Sequence, residues 1–237
     1  SAIGAEFGLI ANDRVLHFAS LSFDVSIEEV IPTLLAGAHL GMRDAEMSGS
    51  VQRFLDAVAQ HRITVLNLPT AFWHVLVDDM ARGSRTLPPD VRLVVVGGEQ
   101  ISPRALATWA RIAPGPRWLN GYGPTETTIT CTLHEPGPLP PGEDIPIGRP
   151  TAHALAYVLA ADGALAPMGA VGDLWIGGVA VADGYIGCAD ETAAAFRPDR
   201  FAGKGRIYRT GDRARWRHDG TLAFLGRRDR QVKLRGF

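Results

Sequence analysis

Nine consecutive residues, Asn120-Gly121-Tyr122-Gly123-Pro124-Thr125-Glu126-Thr127-Thr128, put three hydroxyls, a carboxylate and a phenol ring around one turn. Gly123 and Pro124 would tighten that turn and let a ligand come close to the backbone. Hydroxyls can hold phosphate oxygens, and a lone carboxylate beside a phosphate is a common Mg2+ ligand. An aromatic ring such as that of Tyr122 can stack on a base. The same residues also read as a polar loop between a strand and a helix with a threonine cap, and spacing alone does not separate the two readings.

Two further segments carry comparable chemistry. Tyr208-Arg209-Thr210-Gly211-Asp212 offers an aspartate expected just past a strand end and exposed by a glycine, where it could accept from two ribose hydroxyls. An ordinary hairpin aspartate would have the same neighbours. Gly226-Arg227-Arg228-Asp229-Arg230-Gln231-Val232-Lys233-Leu234-Arg235-Gly236 is dense in cations that could face phosphates, or could form a solvated charged strand.

The elements that must position these residues fall into two textures. Apolar runs at Arg14–Ala19, Ile63–Leu68 and Leu93–Val96 have strand length, the last running into Gly97-Gly98. Between them, helical spacing appears over Asp24–Leu35 (Val25, Val30, Ile31, Leu34, with Pro32 limiting its regularity), Val51–Gln60 and Ala71–Ala81. Ser102-Pro103 opens another helix as cap and first residue, and Arg117–Leu119 leads into the nine-residue loop. Strands alternating with helices predict a mainly parallel sheet covered on both faces, with ligands bound after the strand ends. From about Pro136 a Pro/Gly-rich linker precedes short β runs (Ala154–Leu159, Asp173–Ile176, Ile207–Thr210, Leu222–Leu225). Turns at Asp162-Gly163 and Asp219-Gly220 separate them, which predicts hairpins in a small barrel or sandwich. The expected fold is therefore α/β: a flavodoxin-like parallel-sheet subdomain over 1–138, then a small β-barrel-like subdomain over 139–237.

Composition narrows the function classes. The 237 residues carry a formal net charge of −1, so no electrostatic footprint calls for nucleic acid or an anionic membrane. No apolar run is long enough to span a bilayer and no leader pattern is visible, which makes a reducing cytosol the default compartment. Cys131 and Cys188 cannot form a disulfide framework and read as buried or half-buried side chains.

Taken together and in this order, the segments resemble the adenylation domains of nonribosomal peptide synthetases, within the superfamily that includes acyl-CoA synthetases and firefly luciferase. Phe18-Ala19-Ser20-Leu21-Ser22-Phe23-Asp24-Val25-Ser26 looks like that family's fourth core motif, and Asn120–Thr127 its fifth. Gly172–Gly178, continuing through Asp183-Gly184-Tyr185, looks like the sixth, Tyr208–Asp212 the seventh, and Gly226–Gly236 the start of the eighth. Ile147-Gly148-Arg149-Pro150 is also typical, and the resemblance covers nearly the whole chain.

The resemblance implies that an amino acid and MgATP react to an aminoacyl-adenylate and pyrophosphate. The aminoacyl group then passes to the phosphopantetheine of a peptidyl carrier protein, with a condensation domain as further partner. Thr125 would touch the phosphate and Glu126 would hold Mg2+, these two being the expected catalytic residues. Asp24 would pair with the substrate α-ammonium; a helix N-cap is its other reading. Tyr122 would flank the adenine, Asp212 would bind the ribose hydroxyls assisted by Arg227, and Gly98, Asn120 and Gly123 would complete the nucleotide site. Asp229 would be a hinge to a C-terminal subdomain. Val25, Glu28, Asn67, Val95, Gly97, Gly121, Ile129 and Thr130 would line the side-chain pocket. A buried carboxylate needs a partner, so Glu28 points to a polar or cationic substrate such as ornithine or lysine, although a similar glutamate also occurs in cysteine-type pockets and Glu28 could face solvent.

The chain departs from the family pattern in two places. No Ser/Thr/Gly-rich phosphate loop precedes the fourth motif, and neither Lys204 nor Lys233 matches the family's catalytic lysine. The expectation is a fragment that binds ligands at best. The competing expectations are an aryl- or acyl-CoA ligase, which would have no use for Asp24, and a non-catalytic binding module.

Overall fold

The computed structural model describes residues 2–43, 47, 49–83, 85–137 and 144–228. The expected hinge Asp229 and the cation-rich segment after it lie outside the described residues. Contacts divide the chain into two units. The first holds the described residues of Ser1–Asn120 with those of Glu135–Ile145; the second holds Gly121–His134 with the described residues from Pro146 onward. This division differs from a single cut at 138/139, because residues 121–134 hydrogen-bond to segments near 180 and 212.

The first unit runs α1 (Ala2–Glu6), β1 (Arg14–His17), α2 (Val25–Leu35), β2 (His39–Met42), α3 (Val51–Gln60), β3 (Val65–Pro69), α4 (Thr70–Ala81), β4 (Leu93–Gly97), α5 (Pro103–Ile112) and β5 (Arg117–Tyr122), whose last two residues belong to the second unit. The strands lie in the order β2-β1-β3-β4-β5, with β1-β2, β1-β3 and β3-β4 parallel. That is the flavodoxin-like order. Edge strand β2 was not expected, since His39-Leu40-Gly41-Met42 is weakly β-forming; it exists through its register on β1, and a Cβ at Gly41 would press on Ile63 Cδ1 at 2.9 Å.

Helices α3 and α5 start where the sequence indicates. The Ser50 hydroxyl accepts from Arg53 N and the Ser102 hydroxyl from Ala105 N, each satisfying a backbone donor of the first turn. Alternate strand residues Leu16, Leu66, Leu68, Val94 and Val96 pack with Phe54 of α3, Trp73 and Leu76 of α4 and Trp109 of α5 in one buried cluster. Each such side chain contributes about 1.5–3 kcal/mol of burial. The opposite face carries His17, Asn67 and Val95, and α2 packs beside β1.

Helix α2 has the expected span but the opposite orientation. It buries Ser26, Glu28, Glu29, Pro32 and Thr33, while Ile27, Ile31, Leu34 and Leu35 are 49–67% exposed. The apolar period correctly marks a helix, but it does not say which side meets the sheet. Buried glutamates are tolerated because each finds partners, as described below.

The second unit contains a 3-10 turn (Thr125–Thr127), β6 (Thr132–His134), β7 (Arg149–Pro150), β8 (Ala154–Leu159), β9 (Gly172–Gly178), α6 (Ala189–Ala195), β10 (Phe196–Pro198), β11 (Arg206–Trp216) and β12 (Leu222–Arg227). A five-stranded antiparallel sheet is built on β11, with β9 and then β8 on one side and β10 then β12 in succession along the other. Strand β6 pairs antiparallel with β7, and a Gly148↔Leu222 bridge ties that segment to β12. Val158, Leu174, Ile176, Ala214 and Leu222 form the core with Cys131 and Ile147. Cys131 is buried as expected; Cys188 is exposed.

Candidate functional site

In the first unit, the pocket candidates gather on α2, β3 and β4. Asn67 and Val95 are cross-strand neighbours, and Gly97 sits opposite Pro69 at the carboxyl ends of β3 and β4. Glu28 is buried, not solvent-facing, and its Oε2 accepts from Asn67 Nδ2 at 3.1 Å. Asp24 occupies the N-cap position of α2 but in helical φ/ψ and with no side-chain cap bond, so the capping account of this residue does not hold. Asp24 and Val25 are half-buried. Gly97 O accepts the buried Thr70 hydroxyl at 3.0 Å, and Gly98 follows at φ +97° with open space on the side where a Cβ would stand. Asn120 is buried at the end of this unit.

Glu29, to which sequence reasoning gave no role, is the most buried acid of α2. One oxygen lies 2.7 Å from His17 Nδ1, and Ala19 N donates to the same carboxylate at 3.1 and 3.2 Å. Burial pushes the Glu29 carboxyl up to about 8, with Glu28 adding to the rise. The local signal was two adjacent glutamates in a helix with no other charged residue.

In the second unit, three distant segments converge on Asp212. The Tyr122 hydroxyl donates to Asp212 Oδ2 at 2.5 Å, and Arg227 Nη1 lies 3.3 Å from Oδ1. Thr210 Oγ1 accepts from Asp212 N and itself donates to Leu174 O. Burial, then the Asp212 charge, raises the Tyr122 phenol well above its ordinary value, so it stays a donor. Asp212 was expected past a strand end and exposed; it lies inside β11 and is 6% exposed. Gly211, at φ +78°, sits at the irregularity in the β11–β9 pairing, which lets the strand bend and run on.

The nine-residue loop is half strand and half turn. Residues 117–122 are β5, and Thr125–Thr127 form the 3-10 turn, with Thr127 Oγ1 donating to Pro124 O. Gly121 is buried, Gly123 and Thr125 are exposed, and Ile129 and Thr130 are half-buried. Glu126 Oε1 accepts from the Tyr185 hydroxyl at 2.6 Å, and Tyr185 lies 3.4 Å from the Tyr208 hydroxyl. Gly123 is also required by a contact within the turn: a Cβ there would lie 1.7 Å from Ile129 O. Tyr185 and Tyr208 fall in segments the sequence singles out, yet nothing local ties them to Glu126.

A parallel sheet of this order, and a phenol at the end of β5 that meets a carboxylate of β11 and a guanidinium of β12, define a class, and the sequence comparisons name it. Residues 1–186 match the family described as AMP-binding enzyme, and the chain belongs to that family. Within it the chain is similar to adenylation segments of nonribosomal peptide synthetases. It is 43% identical over 97% of its length to isonitrile lipopeptide synthase of Streptomyces coeruleorubidus and 41% identical over 100% to a linear gramicidin synthase of Brevibacillus parabrevis. It spans 15% and 5% of those relatives. Among solved structures, one NRPS protein containing adenylation and PCP domains, bound to a vinylsulfonamide inhibitor, superposes with a TM-score of 0.86 at 29% identity, over 96% of this chain and 39% of that one. An artificially fused adenylation–PCP di-domain from Klebsiella oxytoca gives the same score at 25% identity, over 100% and 47%. No helix among the described residues is long and apolar enough to cross a membrane.

Proposed function

We propose that the chain serves amino-acid activation: an amino acid and MgATP give an aminoacyl-adenylate and pyrophosphate, and the aminoacyl group passes to the thiol of a carrier protein's phosphopantetheine. The observation that carries this reading is the Tyr122–Asp212–Arg227 group. Tyr122 and Asp212 are 90 residues apart and share a hydrogen bond. A carboxylate is the acceptor that two ribose hydroxyls call for, and Arg227 sets an opposite charge beside it. Tyr122 then offers its ring to the adenine, with Gly98, Asn120 and Gly123 as further nucleotide-site residues. Thr125 is exposed, where its hydroxyl can meet phosphate oxygens.

Glu126 is the candidate Mg2+ ligand. Among the described residues no group of three or more metal-ligating side chains exists, so there is no all-protein cage. One carboxylate supplemented by phosphate oxygens and water is the donor set Mg2+ commonly takes, so the residues fit. Bound there, Mg2+ would supply charge neutralisation while the substrate carboxylate attacks the α-phosphorus. The protein's own part is orientation of the reactants.

Asp24 would take the α-ammonium, and Val25, Glu28, Asn67, Val95, Gly97, Gly121, Ile129 and Thr130 the side chain. The buried Glu28 carboxylate accepts from Asn67, and a cationic side chain such as that of ornithine or lysine would give an acid in this pocket a charge-assisted hydrogen bond. The PCP domains of the solved neighbours support a carrier-protein partner; a condensation-domain partner and a hinge at Asp229 remain part of the proposal. Pyrophosphate exchange by the full-length protein across an amino-acid panel tests it. Ornithine or lysine should drive exchange, and Glu28→Gln should shift the preference away from the cation. Exchange driven by aryl or fatty acids but not amino acids would replace this reading with a CoA-ligase one. An unchanged preference in Glu28→Gln would remove the cationic-substrate assignment alone.

A further inference from the structure

Residues 179–185 follow β9 and are stitched to the turn that bears Glu126. Ala182 N donates to Glu126 O at 2.9 Å, and Thr128 Oγ1 donates to Ala180 O at 2.5 Å. The third stitch is the Tyr185 hydroxyl on Glu126 Oε1 at 2.6 Å. Apolar burial does not hold this segment in place: Val179 is 85% exposed, Ile186 is fully exposed, and α6 has no buried residue.

What holds Tyr185 itself is independent of Glu126. Its ring meets that of Phe196 edge-on with centroids 5.4 Å apart, and Phe196 is a buried residue of β10. Its backbone N donates to Thr192 Oγ1 at 2.9 Å. Gly184, at φ +145°, allows Thr192 to approach so closely that a Cβ would lie 2.4 Å from Thr192 Cγ2. The phenol is thus anchored on the antiparallel sheet and on α6, and reaches Glu126 from a fixed point. The Tyr208 hydroxyl lies 3.4 Å from that of Tyr185.

We infer that Tyr185 is the positioning residue of Glu126: its phenol holds Oε1 and turns Oε2 toward the divalent cation that accompanies the nucleotide. The inference rests on the proposed metal role of Glu126. A half-buried glutamate with several rotamers open to it takes one of them when a donor holds one of its oxygens. Groups that orient a metal-binding carboxylate typically change metal affinity by about 10–100-fold when removed.

The test is Mn2+ binding to the full-length protein in the presence of a non-hydrolysable ATP analogue, followed by the loss of the free-ion EPR signal. Wild type, Tyr185→Phe and Glu126→Gln are compared, with thermal unfolding as a check of folding. Tyr185→Phe should weaken Mn2+ binding about tenfold. The Mg2+ concentration needed for half-maximal pyrophosphate exchange should rise equally, with the KM for the amino acid unchanged. Should Tyr185→Phe fail to fold, Thr192→Val, which removes the acceptor for Tyr185 N, should show the same direction of change. Loss of Mn2+ binding in Glu126→Gln with wild-type affinity in the Tyr185 and Thr192 variants would overturn the role of Tyr185 alone. Wild-type affinity in all of them would overturn the metal role of Glu126 and this inference with it.

Discussion

The carbonyl oxygen of Ile129 lies 1.7 Å from the point where residue 123 would carry a Cβ, so the turn closes only over a glycine. Ile129 itself is held at φ +76° and Thr128 at φ +55°, a left-handed pair that β-branched residues avoid. Such positions hold about 1–3 kcal/mol of strain each and persist only when surrounding bonds fix them. Here the Cys131 N–Tyr122 O bond and the Thr128–Ala180 bond do so. Gly123→Ala should therefore lower stability by more than about 2 kcal/mol, read as a shift in the urea midpoint. An unchanged midpoint would show that the turn can open without loss.

Tyr122→Phe removes the hydroxyl on Asp212 and leaves Arg227 in place. A hydrogen bond to a charged group is worth about 1.5–3 kcal/mol, so unfolding should occur earlier by that order. AMP affinity, measured by calorimetry, should fall at least about tenfold, because Asp212 loses the contact that orients it. Retained AMP affinity would separate Tyr122 from nucleotide binding.

The Glu29 carboxyl, near 8 in the folded protein against 4.5 in its ordinary state, binds its proton more tightly when folded. Between those values the unfolded chain has lost the proton and the folded one has not, so stability falls as pH rises from about 4.5 to about 8, by at most about 1.4 kcal/mol per pH unit. Glu29→Gln, which presents an N–H in place of the carboxyl O–H, should flatten this slope in denaturation curves taken across the range. A wild-type slope in the variant would assign the dependence to another group.

Asp13 behaves in the opposite sense. It is 2% exposed and accepts from Arg92 through both oxygens, from Ile10 N and from Thr64 Oγ1. Burial works against the charge, but the Arg92 guanidinium and the other donors outweigh it and hold the carboxyl below its ordinary 3.8. Its stabilisation is present above about that value and is lost as pH falls through the lower folded one. Asp13→Asn should destabilise by about 1–3 kcal/mol at neutral pH, since the half-exposed Arg92 stays solvated, with the difference from wild type shrinking in acid. A constant difference down to pH 2 would contradict the ion pair as its source.

Much of the fold was legible because its signals are local. Helix α3 spans the predicted residues, β3, β4 and β8 fall where strand-length runs stand, and Ser102 caps the helix that follows it. The order β2-β1-β3-β4-β5 agrees with the expected parallel sheet. Less local features escaped. Strands β2, β6 and β10 are three or four residues long and are defined by their neighbours. The orientation of α2 escaped for another reason: apolar periodicity measures a helix's contrast, while its facing depends on what lies beneath it. Glu28 and Glu29 are inside because Asn67, His17 and Ala19 N are there to meet them.

For the candidate site the division is the same. The sequence by itself determined the family, the residue types and their order along the chain, since the Gly-Pro turn, the glycine before Asp212 and the helix caps act over a few residues. Only the tertiary structure decided that Tyr122 and Arg227 meet on Asp212, that Asp212 is buried within a strand, that a glycine at 123 is required by the approach of Ile129, and that Tyr185 reaches Glu126 across 59 residues. Hydrogen bonds act only below about 3.5 Å. Which polar groups come that close is set by strand pairing and bulges over long separations, and no stretch of neighbouring residues records it.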